Sequence, residues 1–184
     1  MSAVRLFVLS ALAEHGPMHG HQIRNQAQSD RAETWTEVKV GALYGALKRL
    51  AGEGLIAEVR SERVGNLPER TVYEITQRGH EALAAVHNDA LRTIVFRPDP
   101  FDLALVHAGE MDEQELTAAI ADRRAALAAR ESSLRHQTEA ADQWLNEAER
   151  MAMAHGLTRL AAEIAWHDEL LDRLPKIVAD FRKA

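Results

Sequence analysis

Nine histidines are spread through a 184-residue chain that has no cysteine. His15, His19 and His21 lie close enough together to raise metal ligation first. They straddle the Gly16-Pro17 turn and lack a cysteine or carboxylate at usual ligand spacing, so no metal site is expected. Without cysteine there is neither thiol catalysis nor a disulfide, which fits a reducing compartment. The sequence shows no nucleophile elbow, phosphate loop, zinc-protease helix or dinucleotide fingerprint. The paired acids Asp168 and Glu169 have Arg173 nearby and read as a solvated helix face. No catalytic residue and no cofactor is expected, and the chain is not read as an enzyme.

What the sequence does offer is contact with phosphates and base edges. In the stretch from Glu37 to Ile56, Val40, Leu43, Leu47 and Leu50 recur at i, i+3, i+7 and i+10, one face of a helix. The opposite face carries Gly41, Ala42, Gly45, Lys48 and Arg49, with Tyr44 beside them. Small residues let a backbone come close to a DNA groove, and Lys48 and Arg49 can reach phosphates or guanine edges. Arg60, Arg63 and Arg70 follow, and with Lys39, Lys48 and Arg49 they form the expected phosphate-binding cluster.

Local signals say how such residues are positioned. Gly52 and Gly54 end the recognition helix, since glycine takes positive φ cheaply. Leu55, Ala57 and Val59 then alternate with Ile56, Glu58 and Arg60 as in a strand. Gly65, Asn66 and Pro68 form a turn, and Thr71 to Ile75 is a second strand rich in β-branched and aromatic residues. A helix followed by a two-stranded hairpin is the winged form of the helix-turn-helix. Upstream, a helix over residues 2–14 carries Val4, Phe7, Val8, Leu9 and Leu12 and stops at Gly16-Pro17. The run from Val8 to Ala13 is too short for a signal-peptide core and continues into polar sequence. A helix over residues 21–28 offers Ile23 and Ala27 to the core, with Arg24 near the DNA side. Trp35 closes the domain as a core aromatic or lines an effector cavity at a dimer interface. Thr76 is an N-cap for a helix over residues 77–95 with Leu83, Leu91 and Ile94 on one side.

Residues Val4 to Ala85 resemble the winged-helix domain of the PadR family of bacterial transcriptional regulators. The resemblance rests on Leu9-Ser10-Ala11-Leu12, Gly16-Pro17-Met18-His19-Gly20, Gly41 to Leu50, Glu53-Gly54-Leu55-Ile56, and Pro68 to Thr76 with Gly79 after it. Two positions depart from the family pattern: Ala42 stands where Thr or Ser is common, and His21 where an aromatic is common. The resemblance implies a regulator that binds double-stranded DNA. Regulators of this family are often released by small aromatic or amphiphilic effectors held at the dimer interface.

Arg97-Pro98-Asp99-Pro100 breaks the chain, and Phe101, Leu103, Leu105 and Val106 make a short apolar element. Asp112, with Glu115 three residues on, starts a long helix running to about Ala154, its stripe thinning near Gln137 to Ala141, where it could bend or break. Gly156 is expected to end it, and residues 157–181 form the last helix. Two long amphipathic helices bury each other on one face only, so the remaining stripe is expected to meet a second copy of the chain. Trp144 and Trp166 read as anchors of that dimer or as part of an effector site. Phe101-Asp102-Leu103-Ala104 and Ala162-Glu163-Ile164-Ala165-Trp166 are similar to the dimerisation helices of longer PadR regulators.

The net charge of −6 is unevenly spread. Residues 1–86 hold ten basic and ten acidic side chains, while residues 87–184 hold 12 and 18. The acidity therefore lies outside the winged helix, and no apolar run is long enough to cross a membrane. The expected architecture is mainly α with a small β-hairpin wing. A winged helix-turn-helix occupies residues 1–96, a linker and short apolar element 97–111, and a C-terminal long-helix dimerisation domain 112–184. The expected function is a cytoplasmic, homodimeric repressor on a palindromic operator. The alternatives are an effector-independent regulator working with a partner protein, and a protein-interaction module that uses its winged helix without DNA.

Overall fold

Helix α1, Ala3–His15, places Val8, Leu9, Ala11 and Leu12 on its buried face. Gly16 ends it with a φ of +75°, a conformation that other side chains rarely adopt. The computed structural model describes residues 3–29, 41–63, 70–95 and 98–183. They divide into two compact units, residues 1–95 and 96–184.

In the first unit, α1 is followed by a two-residue strand, β1 (Met18–His19), and helix α2 (Gly20–Ser29). Helix α3 (Ala42–Gly52) buries Leu43, Ala46, Leu47 and Leu50, the expected stripe with Ala46 added. Val40 lies outside the described residues. The end of α3 is a Schellman motif: Gly54 takes a φ of +70°, its N–H donates to Ala51 O (3.0 Å), and Leu55 N–H donates to Leu50 O (2.9 Å). Gly52 is thus the last helical residue, and Gly54 alone makes the reversal.

Strands β2 (Ile56–Glu62) and β3 (Arg70–Ile75) pair antiparallel. β1 adds to the far side of β3, pairing Met18 with Tyr73 and His19 with Val72, so the sheet has three strands in the order β1-β3-β2. The alternation expected in β2 is not realised: Leu55 and Ile56 are both buried, and Ala57 to Ser61 are all exposed. The strand also carries a bulge. Glu58 faces Tyr73 and Arg60 faces Val72, which leaves Val59 as the extra residue.

Helix α4 (Gln77–Arg92) begins at Thr76, whose hydroxyl accepts from Gly79 N–H at 3.0 Å and donates to Gly54 O at 2.8 Å. One side chain therefore caps α4 and holds the end of α3. The helix stops three residues before the expected Val95, and Leu91 and Ile94 are almost fully exposed.

The second unit opens with α5 (Pro100–Val106), capped by Asp99, and a 3-10 turn, Ala108–Glu110. Helix α6 (Glu113–Ala141) is capped by Asp112, which accepts from Gln114 N–H at 2.8 Å. A second 3-10 turn, Asp142–Trp144, separates it from α7 (Glu147–Phe181). The break thus falls just past Gln137 to Ala141, and the expectation that Gly156 ends the helix is overturned. Asn146 and Glu149 form a reciprocal capping box that starts α7 ten residues earlier, and the helix runs straight through Gly156. Glycine is used there for space, since a Cβ would stand 3.1 Å from Leu134 Cδ2 on α6. The hairpin is antiparallel, with Glu113 joined to Arg182 and Arg124 to Asp168. Leu116 and Ile120 of α6 pack with Leu170, Leu174 and Val178 of α7, each such side chain contributing about 1.5–3 kcal/mol on burial.

Candidate nucleic-acid interface

Burying Leu43, Ala46, Leu47 and Leu50 turns the rest of α3 outward, so Ala42, Tyr44, Gly45, Lys48 and Arg49 are exposed, with Gly41 just before them. The face is flat at its N-terminal end and cationic at its C-terminal end. Arg49 folds back along it, with Nη1 3.3 Å from where a Gly45 Cβ would be. The carboxylate nearest in sequence, Glu53, is engaged by Arg5 of α1 at 2.7 Å and does not neutralise Arg49. Tyr44 is half-exposed yet fixed from below by the backbone of Gly20.

The hairpin arginines are not equivalent. Arg60 Nε lies 2.6 Å from Glu62 Oε1, which offsets part of its charge. Arg63 is exposed where β2 ends, and Arg70, half-buried, opens β3 opposite Glu62. Lys39 and Trp35 lie outside the described residues, as does the segment 64–69 between the two strands.

The structure gives His19, His21 and Arg24 roles that the sequence pattern did not assign them. His19 caps α2, its Nδ1 accepting from Gln22 N–H at 3.0 Å while Gln22 Oε1 accepts from His19 N–H at 2.9 Å. His21 Nε2 is 2.9 Å from Arg24 Nη2. A guanidinium can only donate, so that ring nitrogen accepts and His21 is neutral with its proton on Nδ1. Burial, then Arg24, Arg70 and His19 in turn, hold its pKa below the ordinary histidine value. The i, i+3 spacing of His21 and Arg24 was visible in the sequence. The approach of Arg70 depends on β3 pairing beside β1.

In the second unit the two tryptophans are not brought together. Trp144 sits exposed in the turn between α6 and α7, and Trp166 lies roughly 30 Å further along α7 at 1.5 Å per residue. One chain therefore cannot build a single cavity from both. Trp166 belongs to a different cluster. Its ring meets His167 at 5.0 Å and Phe101 edge-on at 5.8 Å, while the Arg123 guanidinium lies 4.6 Å over the Phe101 ring. His167 is fully buried, its Nδ1 donates to Glu163 O (2.8 Å), and its Nε2 accepts from Arg123 Nε (3.1 Å). Arg123 also pairs with Asp99, which caps α5. The Phe101 backbone N–H, reinforced by Arg123, holds the Asp99 carboxyl below its usual pKa.

Residues 8–85 match the family described as Transcriptional regulator PadR-like family. The chain carries a PadR-like domain. Solved structures extend the likeness over both units. Bacillus subtilis PadR in complex with operator DNA superposes with a TM-score of 0.73 at 21% identity, covering 95% of this chain and 98% of that one. The same Bacillus protein in complex with p-coumaric acid gives 0.71 at 20% identity, covering 95% and 99%. The Vibrio cholerae virulence activator AphA gives 0.68 at 18% identity, again covering 95% and 99%. At these identities the structures show a shared fold. Comparison with curated proteins finds no match. Among the described residues no helix is long and apolar enough to cross a membrane.

Proposed function

We propose that this PadR-like transcription regulator is a cytoplasmic, sequence-specific DNA-binding repressor that acts as a homodimer on a palindromic operator. The observation that carries the reading is the exposed face of α3, small at Gly41, Ala42 and Gly45 and cationic at Lys48 and Arg49, beside the hairpin arginines. In this reading α3 enters the major groove, where Tyr44, Lys48 and Arg49 supply most helix contacts. Lys39, Arg60, Arg63 and Arg70 hold phosphates beside the groove. Two copies would place their α3 helices about 34–36 Å apart on half-sites one turn apart.

Dimer formation through the second unit is part of the proposal, supported by the exposed Leu103, Val106, Trp144 and Met151. Release by a small aromatic or amphiphilic effector is also part of it. The shared fold of Bacillus PadR, solved with p-coumaric acid, supports that choice of effector class. Trp35, Trp144 and Trp166 are the residues proposed to face the effector or the second copy. The test is fluorescence anisotropy of the full chain on duplexes from its own upstream region, across a salt series with scrambled DNA as control. Tight, selective binding with a steep salt slope is expected. Equal binding to both duplexes at every salt concentration would remove the claim of sequence specificity.

A further inference from the structure

We propose that His21 and Arg24, together with Arg70 of the hairpin, form a seat for one DNA phosphodiester group beside the α3 face. The proposal rests on the DNA-binding reading and extends it to the start of α2. Arg24 donates to His21 within α2, and Arg70 of β3, the strand that pairs with β1 just ahead of α2, adds to the positive field at His21. Among the described residues the other ionisable group acting on His21 is His19, at the end of β1, with its ring 6.1 Å away. The carboxylate opposite Arg70 in the sheet register, Glu62, is held by Arg60 at 2.6 Å. Among the described residues the positive charge is thus left without a close counter-ion.

A second observation points to a missing acceptor. Arg24 Nε is buried and has no hydrogen-bond partner, although Nη2 of the same guanidinium reaches His21. A buried donor without an acceptor is costly, and a guanidinium fork suits two oxygens of one phosphate. Location favours a phosphate of the same duplex over a free anion. Gly20, next to His21, lies against the Tyr44 ring on the exposed face of α3. The seat is therefore continuous with that face on one side and with the hairpin on the other.

Occupation of the seat is linked to a proton. His21 now accepts from Arg24 through Nε2. When the phosphodiester oxygens take over the Arg24 donors, Nε2 is released and gains a proton from solvent, becoming a donor towards the anion. In the free protein the neighbouring cations disfavour that proton, and a bound anion favours it. The His21 pKa is thus higher in the complex than in the free protein. The added affinity is complete below the free-state value and is lost as pH rises through the bound-state value.

The experiment measures anisotropy on the selected upstream duplex for wild type, His21→Gln, Arg24→Gln and Lys48→Ala, between pH 6 and pH 8 and across a salt series. Circular dichroism melting checks that each variant folds. Expected are an affinity loss of about fivefold or more for His21→Gln and Arg24→Gln at pH 6, and a salt slope shallower by about one for Arg24→Gln. The wild-type pH dependence should persist in Lys48→Ala and flatten in His21→Gln. Wild-type affinity and pH dependence in His21→Gln, with Lys48→Ala impaired, would overturn the seat and leave the DNA reading intact. Absence of wild-type binding at low salt would overturn both. If Arg24→Gln does not fold, the pH profile of His21→Gln decides alone.

Discussion

Tyr44 rests on the backbone of Gly20: a Cβ at position 20 would stand 2.7 Å from Tyr44 Cε1 and 3.2 Å from Leu47 Cδ1. The ring that heads the exposed face of α3 is therefore aimed by a residue with no side chain. Gly20→Ala should turn the ring, because the ring edge moves more easily than the surrounding backbone. The expected outcome is roughly a tenfold loss of operator affinity, about 1.4 kcal/mol, with a small change in melting temperature. Anisotropy and calorimetry on the same preparation separate the two effects.

Lys48→Ala should weaken operator binding at all sequences alike and lower the salt slope by about one, as removal of a phosphate contact does. Arg49→Ala should instead relax base preference if its guanidinium reads a guanine, at a cost of about 1–3 kcal/mol on the preferred site alone. A salt series on specific and scrambled duplexes distinguishes them. An unchanged affinity for both variants would remove α3 from the interface.

Gly79→Ala should destabilise the first unit severely. A Cβ there would fall 2.1 Å from Leu55 O and 2.6 Å from Ile75 Cγ1, and the backbone carbonyl cannot swing aside as a side chain can. The expected cost is about 3 kcal/mol, at the upper end for overpacking. Thr76→Ala next to it should cost about 1 kcal/mol for the lost cap. Urea unfolding followed by circular dichroism measures both.

Arg123→Leu removes the hydrogen-bond donor to the buried His167 Nε2, the partner of Asp99 and the cation over Phe101 in one step. Leaving a buried acceptor unpaired costs about 1–3 kcal/mol. The neighbouring Trp166 ring makes the change visible as altered fluorescence, while the residues proposed to contact DNA in the first unit are untouched. Normal stability and an unchanged Trp166 emission would show that the cluster contributes little.

Acid should loosen the second unit. The side-chain bond from Arg124 holds the Asp168 carboxyl below its usual pKa, and the Phe101 N–H does the same for Asp99. For depressed carboxylates the stabilisation is complete above the unfolded-state pKa and is lost as pH falls through the lower folded-state value. Melting temperature should thus be little affected by these two groups between pH 7 and 5, then decline below about 4. Asp168→Asn should shrink the acid-dependent part of that decline.

Features with a local cause were legible in the sequence. The buried stripe of α3 follows from helical period, and Thr76 and Asp112 cap where their types suggest. Features that depend on partners distant in the chain were not. β1 is two residues long and has no period to read, and it exists because β3 offers an edge. Gly156 signals a stop by type, but its role is set by Leu134 across the hairpin. The Asn146–Glu149 capping box was present as an N-x-x-E pattern and would have located the start of α7. In the candidate interface, the exposed set on α3 follows from its period, whereas Gly20 and the His21–Arg24–Arg70 group needed the fold.

The extra residue Val59 has a consequence for how the protein behaves at high concentration. β2 borders the sheet and presents its outer backbone groups to any other strand that approaches. A regular edge of that kind is a template for chain-to-chain aggregation. The bulge spoils its hydrogen-bond spacing, and Glu58, Arg60 and Glu62 flank it with charges of both signs. The hairpin can therefore stand open to solvent without adhering to the hairpins of neighbouring molecules.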